Sequence, residues 1–380
     1  MKKFIYYILL MITVLLLFGC KKDKKSNESG VIQDYIPGVS QGVTLTEQPT
    51  IGVTGTDGTQ TDVNDTVLDN NSNHEGDMRS FLSGLWVSNE IGRKRPYAFQ
   101  FSNFKAVSNQ WGIGQAEIVY EAMVEGGITR LLGIGEQYSG DRIGSARSSR
   151  HYFASFADEY DAIYIHYGKT KYAKAKLKEL GINNLDGETG IGTTVFYRDN
   201  TIKAPHNAFA SLEGILAGIK EKGYETQYDE GYQPHYTFYG EDTNLTSGTV
   251  AGKITINFSS YIAPYLEYNA ADKLYYRFQF GAIHKDSLTG KQLAFKNIIV
   301  QFVKEWDIDK NDYQTMDLED ASGTGYYITN GKKISITWKK KEATSWTRYY
   351  NEAGEELTIN PGKTYIAVFP NNRRDNVVIE

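Results

Sequence analysis

Cysteine occurs once in the 380 residues, at Cys20. One cysteine cannot form a disulfide within the chain or a set of thiolate metal ligands, and acylation of it would leave no thiol nucleophile. Positive charge is not in excess either: 41 Lys and Arg stand against 46 Asp and Glu, a formal net charge of -5. That balance argues against nucleic acid as a partner. The apolar run from Phe4 to Phe18, broken only at Thr13, is shorter than the about 20 residues that a membrane span needs.

Known catalytic and nucleotide-binding motifs are also missing. Gly112-Ile113-Gly114 has no third glycine at dinucleotide spacing, and Leu357 sits where a phosphate loop ending Gly362-Lys363-Thr364 needs glycine. Ser102-Asn103-Phe104-Lys105 matches Ser-x-x-Lys, but no Lys-Thr-Gly follows. Asp307 to Asn311 opens like a calcium loop, then puts Asp312 at the required glycine and Leu318 at the bidentate glutamate. No Gly-x-Ser-x-Gly or His-Glu-x-x-His occurs, and no cofactor or metal is implied.

Lys2-Lys3 followed by the apolar run reads as a secretory signal, and Leu17-Phe18-Gly19-Cys20 reads as a lipoprotein cleavage box. Residues 1–20 are therefore expected to be a signal peptide. Cys20 is the expected lipidation site, and the mature chain would be held on the extracytoplasmic face of the cell membrane. Residues 21–80, with stretches such as VTGTDGTQTDVNDTVLDNNSNHEGD, are poor in large apolar side chains and read as a disordered tether.

The remainder predicts an α+β chain in two parts. Over 81–245, short apolar runs alternate with helical patterns, indicating an α/β layered domain. PYAFQFS, TRLLGIGEQY, DAIYIHYG and TTVFYRD read as strands. QAEIVYEAMVEG, ARSSRHYFASFADEY, KYAKAKLKEL and SLEGILAGIKEKG read as helices, with Gly181 and Gly223 at C-terminal caps. Residues 246–380 alternate with period two and read as a smaller, mostly-β domain, with Asn330-Gly331 turning a hairpin.

The candidate ligand-binding residues lie in the first part. Arg147 and Arg150, with Arg142, occupy the serine-rich segment feeding a helix, where a guanidinium fork suits a phosphate or carboxylate. His166 and Arg198 stand near strand ends, and His206-Asn207 lies in the loop after the second of these. Glu117, Glu121 and Glu125 recur at spacing four, so a helix would place them on one face as acidic partners, paired with an arginine such as Arg130 or Arg147.

QAEIVYEAMVEGGITR, IGSARSSRHYF, EYDAIYIHYG, NNLDG, FYRD, KAPHN and NPGKTYIAVFP together resemble the YerB-like bacterial lipoproteins, a family of uncharacterised function. The resemblance runs from about residue 90 to the end. It implies a membrane-anchored lipoprotein with an α/β domain and a smaller C-terminal domain, and it implies no reaction. The expected function is a non-catalytic binding or accessory protein of the envelope. Its α/β cleft would hold a polar, anionic ligand such as a cell-wall fragment or an acidic chain on an envelope protein. One rival is an envelope-polymer hydrolase using Glu121 or Glu125 with His166 or His206 as acid and base, or a metal held by those groups. Another is a scaffold docking through a Tyr/Trp patch around Tyr326, Trp338 and Trp346.

Overall fold

The computed structural model describes residues 74–310 and 312–380. The expected signal peptide, Cys20 and the tether up to residue 73 lie outside the described residues. The folded chain begins earlier than the sequence pattern suggested, because a strand at Asp77–Arg79 already pairs with Trp86–Ser88.

The centre is one eleven-stranded mixed sheet to which both parts of the chain contribute. From the first part come β1 (Tyr97–Ser102), β2 (Ile118–Met123), β3 (Thr129–Gly135), β4 (Ile163–His166) and β5 (Asn184–Asp186). The second part forms another sheet around β6 (Lys253–Ile256), β7 (Tyr265–Asn269) and β8 (Leu274–Gln279). It also gives the large sheet β9 (Asn297–Val303), β10 (Ala321–Thr329), β11 (Lys332–Lys340) and β12 (Thr364–Pro370). The order along the large sheet is β11-β10-β9-β12-β2-β3-β1-β4-β5. Parallel pairing of β9, β12 and β2, and of β1, β4 and β5, with β3 antiparallel between β2 and β1, aims all six carboxyl ends at one edge.

QAEIVYEAMVEG corrects the helical expectation. It forms β2, a central strand between β12 and β3. A strand covered on both faces reads as a continuous apolar run, which periodicity cannot separate from a buried helix. β-Branched Ile118 and Val119 and aromatic Tyr120 suit the pleated backbone. Ile118, Tyr120 and Ala122 pack with Phe153 and Phe156 of α1 (His151–Asp158), whereas Val119 and Met123 join Ile254, Ile256 and Leu266 of the second sheet.

The other helices form where capping chemistry is strongest. Thr170 accepts from Ala173 N to start α2 (Lys171–Leu180), and Gly181 ends it in the left-handed conformation. Ser211 and Gly223 do the same for α3 (Leu212–Lys222). TTVFYRD is only partly a strand: Gly192–Val195 makes one helical turn before the strand Phe196–Arg198. Among the described residues no α-helix follows α3, and the second part is strands and loops apart from a 3-10 helix at Asn371–Asn376. No helix among them is long and apolar enough to cross a membrane.

The β10–β11 hairpin turns at Asn330-Gly331, with φ of 49° and 75° as a type I′ turn requires. Trp338 lies buried inside this hairpin and donates its indole N–H to Phe302 O at 2.9 Å. The Tyr/Trp docking patch therefore does not form around it. Alternation on β11 sends Trp338 into the core and its neighbours Thr337 and Lys339 to solvent.

Candidate functional site

The carboxyl edge of the large sheet is where open α/β sheets place ligands, and here it collects cations. β1 ends at Ser102, β2 runs out into Glu125-Gly126-Gly127, and β3 begins with Thr129-Arg130. Both glycines have positive φ, letting the chain fold back between β2 and β3. The segment feeding α1 crosses this edge and brings Arg147 and Arg150 with it. Arg150 Nε donates to both carboxylate oxygens of Glu125, at 2.8 and 2.9 Å. Arg130 Nη1 donates to Ser148 O. Arg147 Nη1 donates to Pro205 O at 3.0 Å, which uses one of its five N–H donors. His206 stacks on Phe104 with ring centroids 4.5 Å apart, and its Nδ1 lies 3.3 Å from Ser102 Oγ. Tyr261, from the loop joining β6 and β7, continues that aromatic wall beyond Phe104.

The charges in this cluster do not balance. Burial, then the neighbouring Arg150 and Arg147, lower the Arg130 guanidinium to about 9. Burial and Arg150 lower Arg147, and burial with Arg147 and Arg130 lowers His206, which favours the neutral imidazole. Burial pushes Glu125 up, but the hydrogen bonds and charge of Arg150 outweigh it and hold the carboxylate ionised. Among the described residues, Glu125 thus answers Arg150 and Arg130, while Arg147 has Arg150 as its charged neighbour. His206 faces a hydroxyl, and among the described residues no carboxylate orients it as a general base.

The other residues expected at the site divide. Arg198 binds Asn207 Oδ1 at 2.7 Å and lies over the Tyr167 ring, whose own backbone N–H donates to Arg147 O. That pair therefore flanks Arg147. Arg142 is spent on Asp199 at 2.6 Å and on the faces of Trp111 and Phe209. His166 is a correction. It is fully buried, with Nδ1 2.9 Å from Gly168 O and Nε2 3.3 Å from Asn184 Oδ1. A ring at the last position of an inner strand, covered on both sides, cannot reach a ligand.

The three glutamates do not share a helical face. Glu125 lies beyond the strand with Arg150, while Glu117 and Glu121 project from one side of β2 into separate environments. Glu117 accepts from Glu136 N at 3.1 Å, beside Lys363. Glu121 is fully buried and accepts four hydrogen bonds, from Asn103, Thr129, Arg277 and Tyr365. A carboxylate with every lone pair engaged has no capacity left for acid–base work, which removes Glu121 from the hydrolase reading. Among the described residues no three His, Cys, Asp or Glu side chains gather as a metal set.

Sequence reasoning missed two features. Arg277, His284 and Gln279 meet Glu121 and Asn103 only because the second sheet packs over β2, so no local pattern announces them. An open cleft of about 680 Å³ lies at the end of β11, lined by Lys339, Lys341, Trp346, Arg348 and Tyr350. The lysine run closing the strand was its only visible sign.

Residues 82–225 match the N-terminal domain, and residues 254–366 the C-terminal domain, of a protein family of unknown function, DUF3048. The chain is 29% identical over 295 residues to YerB of Bacillus subtilis (strain 168), which is named as a lipoprotein; the match covers 77% of this chain and 86% of YerB. A crystal structure of YerB from Bacillus subtilis superposes with a TM-score of 0.70 at 27% identity, covering 80% of this chain and 99% of that one. With both family domains present in order and the fold shared, the chain belongs to the YerB-like DUF3048 family.

Proposed function

We propose that this protein is a lipid-anchored accessory lipoprotein of the cell envelope that binds an anionic ligand at the carboxyl edge of its large sheet. The observation that carries the reading is the gathering of Arg130, Arg147 and Arg150, with Glu125 the carboxylate among the described residues that answers Arg150 and Arg130. Mutual repulsion among three partly buried guanidiniums costs folding free energy. A bound phosphate or carboxylate would offset that cost through short, charge-assisted bonds. Arg147 supplies the free fork, His206 adds a directional hydrogen bond, and Phe104 with Tyr261 gives an apolar wall for the body of the ligand. The Leu-Phe-Gly-Cys box at 17–20 and the lipoprotein name of the relative support the anchoring.

Titration calorimetry with a glycerol phosphate oligomer tests the ligand site. The full chain in detergent should bind it, and Arg147→Ala should weaken binding at least tenfold at constant salt. Equal binding by both proteins would overturn the assignment. Cys20→Ala should move the protein from the membrane to the soluble fraction; retention would overturn the anchor.

A further inference from the structure

The cluster at Arg147 is one end of a longer cationic path. Strand register places the end of β11 on the same edge of the sheet: Lys339 lies opposite Ser322, β9 Val303 opposite Pro370, β12 Val368 opposite Ala122, and Ala122 opposite Arg130. Between the two ends the contacts are continuous. Tyr261 flanks Phe104, Ser259 Oγ donates to Gly127 O at 2.6 Å, and Arg373 Nη1 donates to Phe258 O at 2.8 Å. Arg374 Nη2 donates to Thr324 Oγ1 at 2.7 Å, and Thr324 is two residues along β10 from Ser322, the partner of Lys339. Lys339, Lys341 and Arg348 then line the 680 Å³ cleft.

Cations therefore stand at three stations: Arg147 with its neighbours, Arg373 with Arg374, and Lys339 with Lys341. Acids on the same path are Glu125, which Arg150 holds, Glu356, which Arg348 holds, and Glu305, Asp375, Asp320 and Glu342. In a chain of net charge -5, this row is a local concentration of positive charge. Arg147 donates its backbone N–H to Gln100 O of β1; from β1 to β11 the sheet order runs through β3, β2, β12, β9 and β10, a reach of roughly 29 Å at about 4.8 Å per strand. Arg374 bonds Thr324 of β10 and lies over the Phe302 ring of β9, so the middle station stands one to two strands, about 5–10 Å, from β11.

We propose that this edge is one track for a linear, phosphate-bearing polymer that seats one phosphate group at Arg147 and others at Arg374 and at Lys339 with Lys341. The proposal rests on the anionic site proposed above and extends it to the class of ligand. The guanidinium forks along the edge suit phosphate groups, which accept several charge-assisted bonds each; an acidic polypeptide is the alternative that the test decides. Holding one chain at several stations raises affinity through effective concentration, without a new type of contact.

The test compares a short glycerol phosphate oligomer, a poly(glycerol phosphate) chain extending beyond roughly 29 Å, and poly-glutamate of equal length, each titrated into the full chain in detergent. The long phosphate polymer should bind at least tenfold tighter than the short one. Arg374→Ala combined with Lys339→Ala and Lys341→Ala should bring its affinity down to that of the short oligomer and leave short-oligomer binding unchanged. These three side chains are exposed, and circular dichroism will verify that the variant folds. Short and long chains binding equally, both weakened by Arg147→Ala, would overturn the track and leave the local anion site standing. Failure of both phosphate ligands to bind would overturn the track and the anion site together. Poly-glutamate binding as tightly as the long phosphate polymer would overturn the ligand class in favour of an acidic polypeptide.

Discussion

Glu121 and Arg277 form an ion pair at 2.7 Å with both side chains essentially sealed from solvent, 0% and 1% exposed. The residues are 156 positions apart, and the bond joins the centre of the large sheet to the second sheet. Tyr365, Asn103 and Thr129 complete the carboxylate, while His284 takes another guanidinium N–H. Burying two charges is stabilising only when the hydrogen bonds around them are nearly complete, and breaking one partner is costly. Arg277→Ala should lower stability by about 3–5 kcal/mol in urea denaturation. Arg277→Met combined with Glu121→Leu should be less damaging than Arg277→Ala alone, because no charge is left unpaired. A double variant as unstable as the single one would show that packing, and not charge, dominates there.

His284 carries a tautomer prediction. An arginine N–H can only donate, so His284 Nδ1 must accept, leaving Nε2–H to donate to Gln110 Oε1 at 2.7 Å. Burial and then the Arg277 charge hold the imidazole well below its ordinary value. Imidazole nitrogen NMR should show His284 neutral with its proton on Nε2 at pH 6, where a free histidine is largely protonated. Because the unfolded ring binds the proton and the folded ring does not, this residue costs stability as pH falls below about 6.5.

Glu117 and Glu136 bear on the opposite side of the pH scale. Burial raises Glu117 to about 7 against the pull of Lys363, and burial with the Glu117 charge raises Glu136 to about 8. Folded carboxyls with raised values bind protons that the unfolded chain has already released. Their contribution is fully present below about pH 4.5 and is lost as pH rises toward 8. Glu136→Gln should therefore flatten the decline in Tm between pH 6 and 8 and leave the variant relatively more stable at pH 8 than at pH 5. A wild-type Tm that rises across pH 6–8 in step with the variant would contradict the raised values.

Gly331→Ala probes the hairpin that carries the Lys339 station. Gly331 has φ of 75°, and a Cβ there would lie 2.8 Å from the Tyr268 ring. Strain and contact together should cost on the order of 1–3 kcal/mol by chemical denaturation. Asn330→Gly, which keeps the turn conformation accessible, should cost less.

Local chemistry by itself determined several of these elements. The Asn-Gly hairpin, the Ser and Thr helix starts with glycine stops, and the alternating strands of the second part follow from backbone φ preferences and side-chain periodicity within a few residues. Arg147, Arg198, His206 and Asn207 were legible as strand-end polar groups, since α/β alternation already implies where the ends lie. Tertiary structure decided the rest. Whether EIVYEAM became helix or strand depended on β12, from the far end of the chain, pairing beside it. Once it was a strand, Glu121 turned to Arg277, Glu117 to Lys363 and Glu125 to Arg150. His166 looked like a ligand group in sequence because solvent exposure at a strand end is set by what packs over it. The cationic row from Arg147 to Lys339 exists only because both parts of the chain align their strand ends in one sheet, a register that no local pattern encodes.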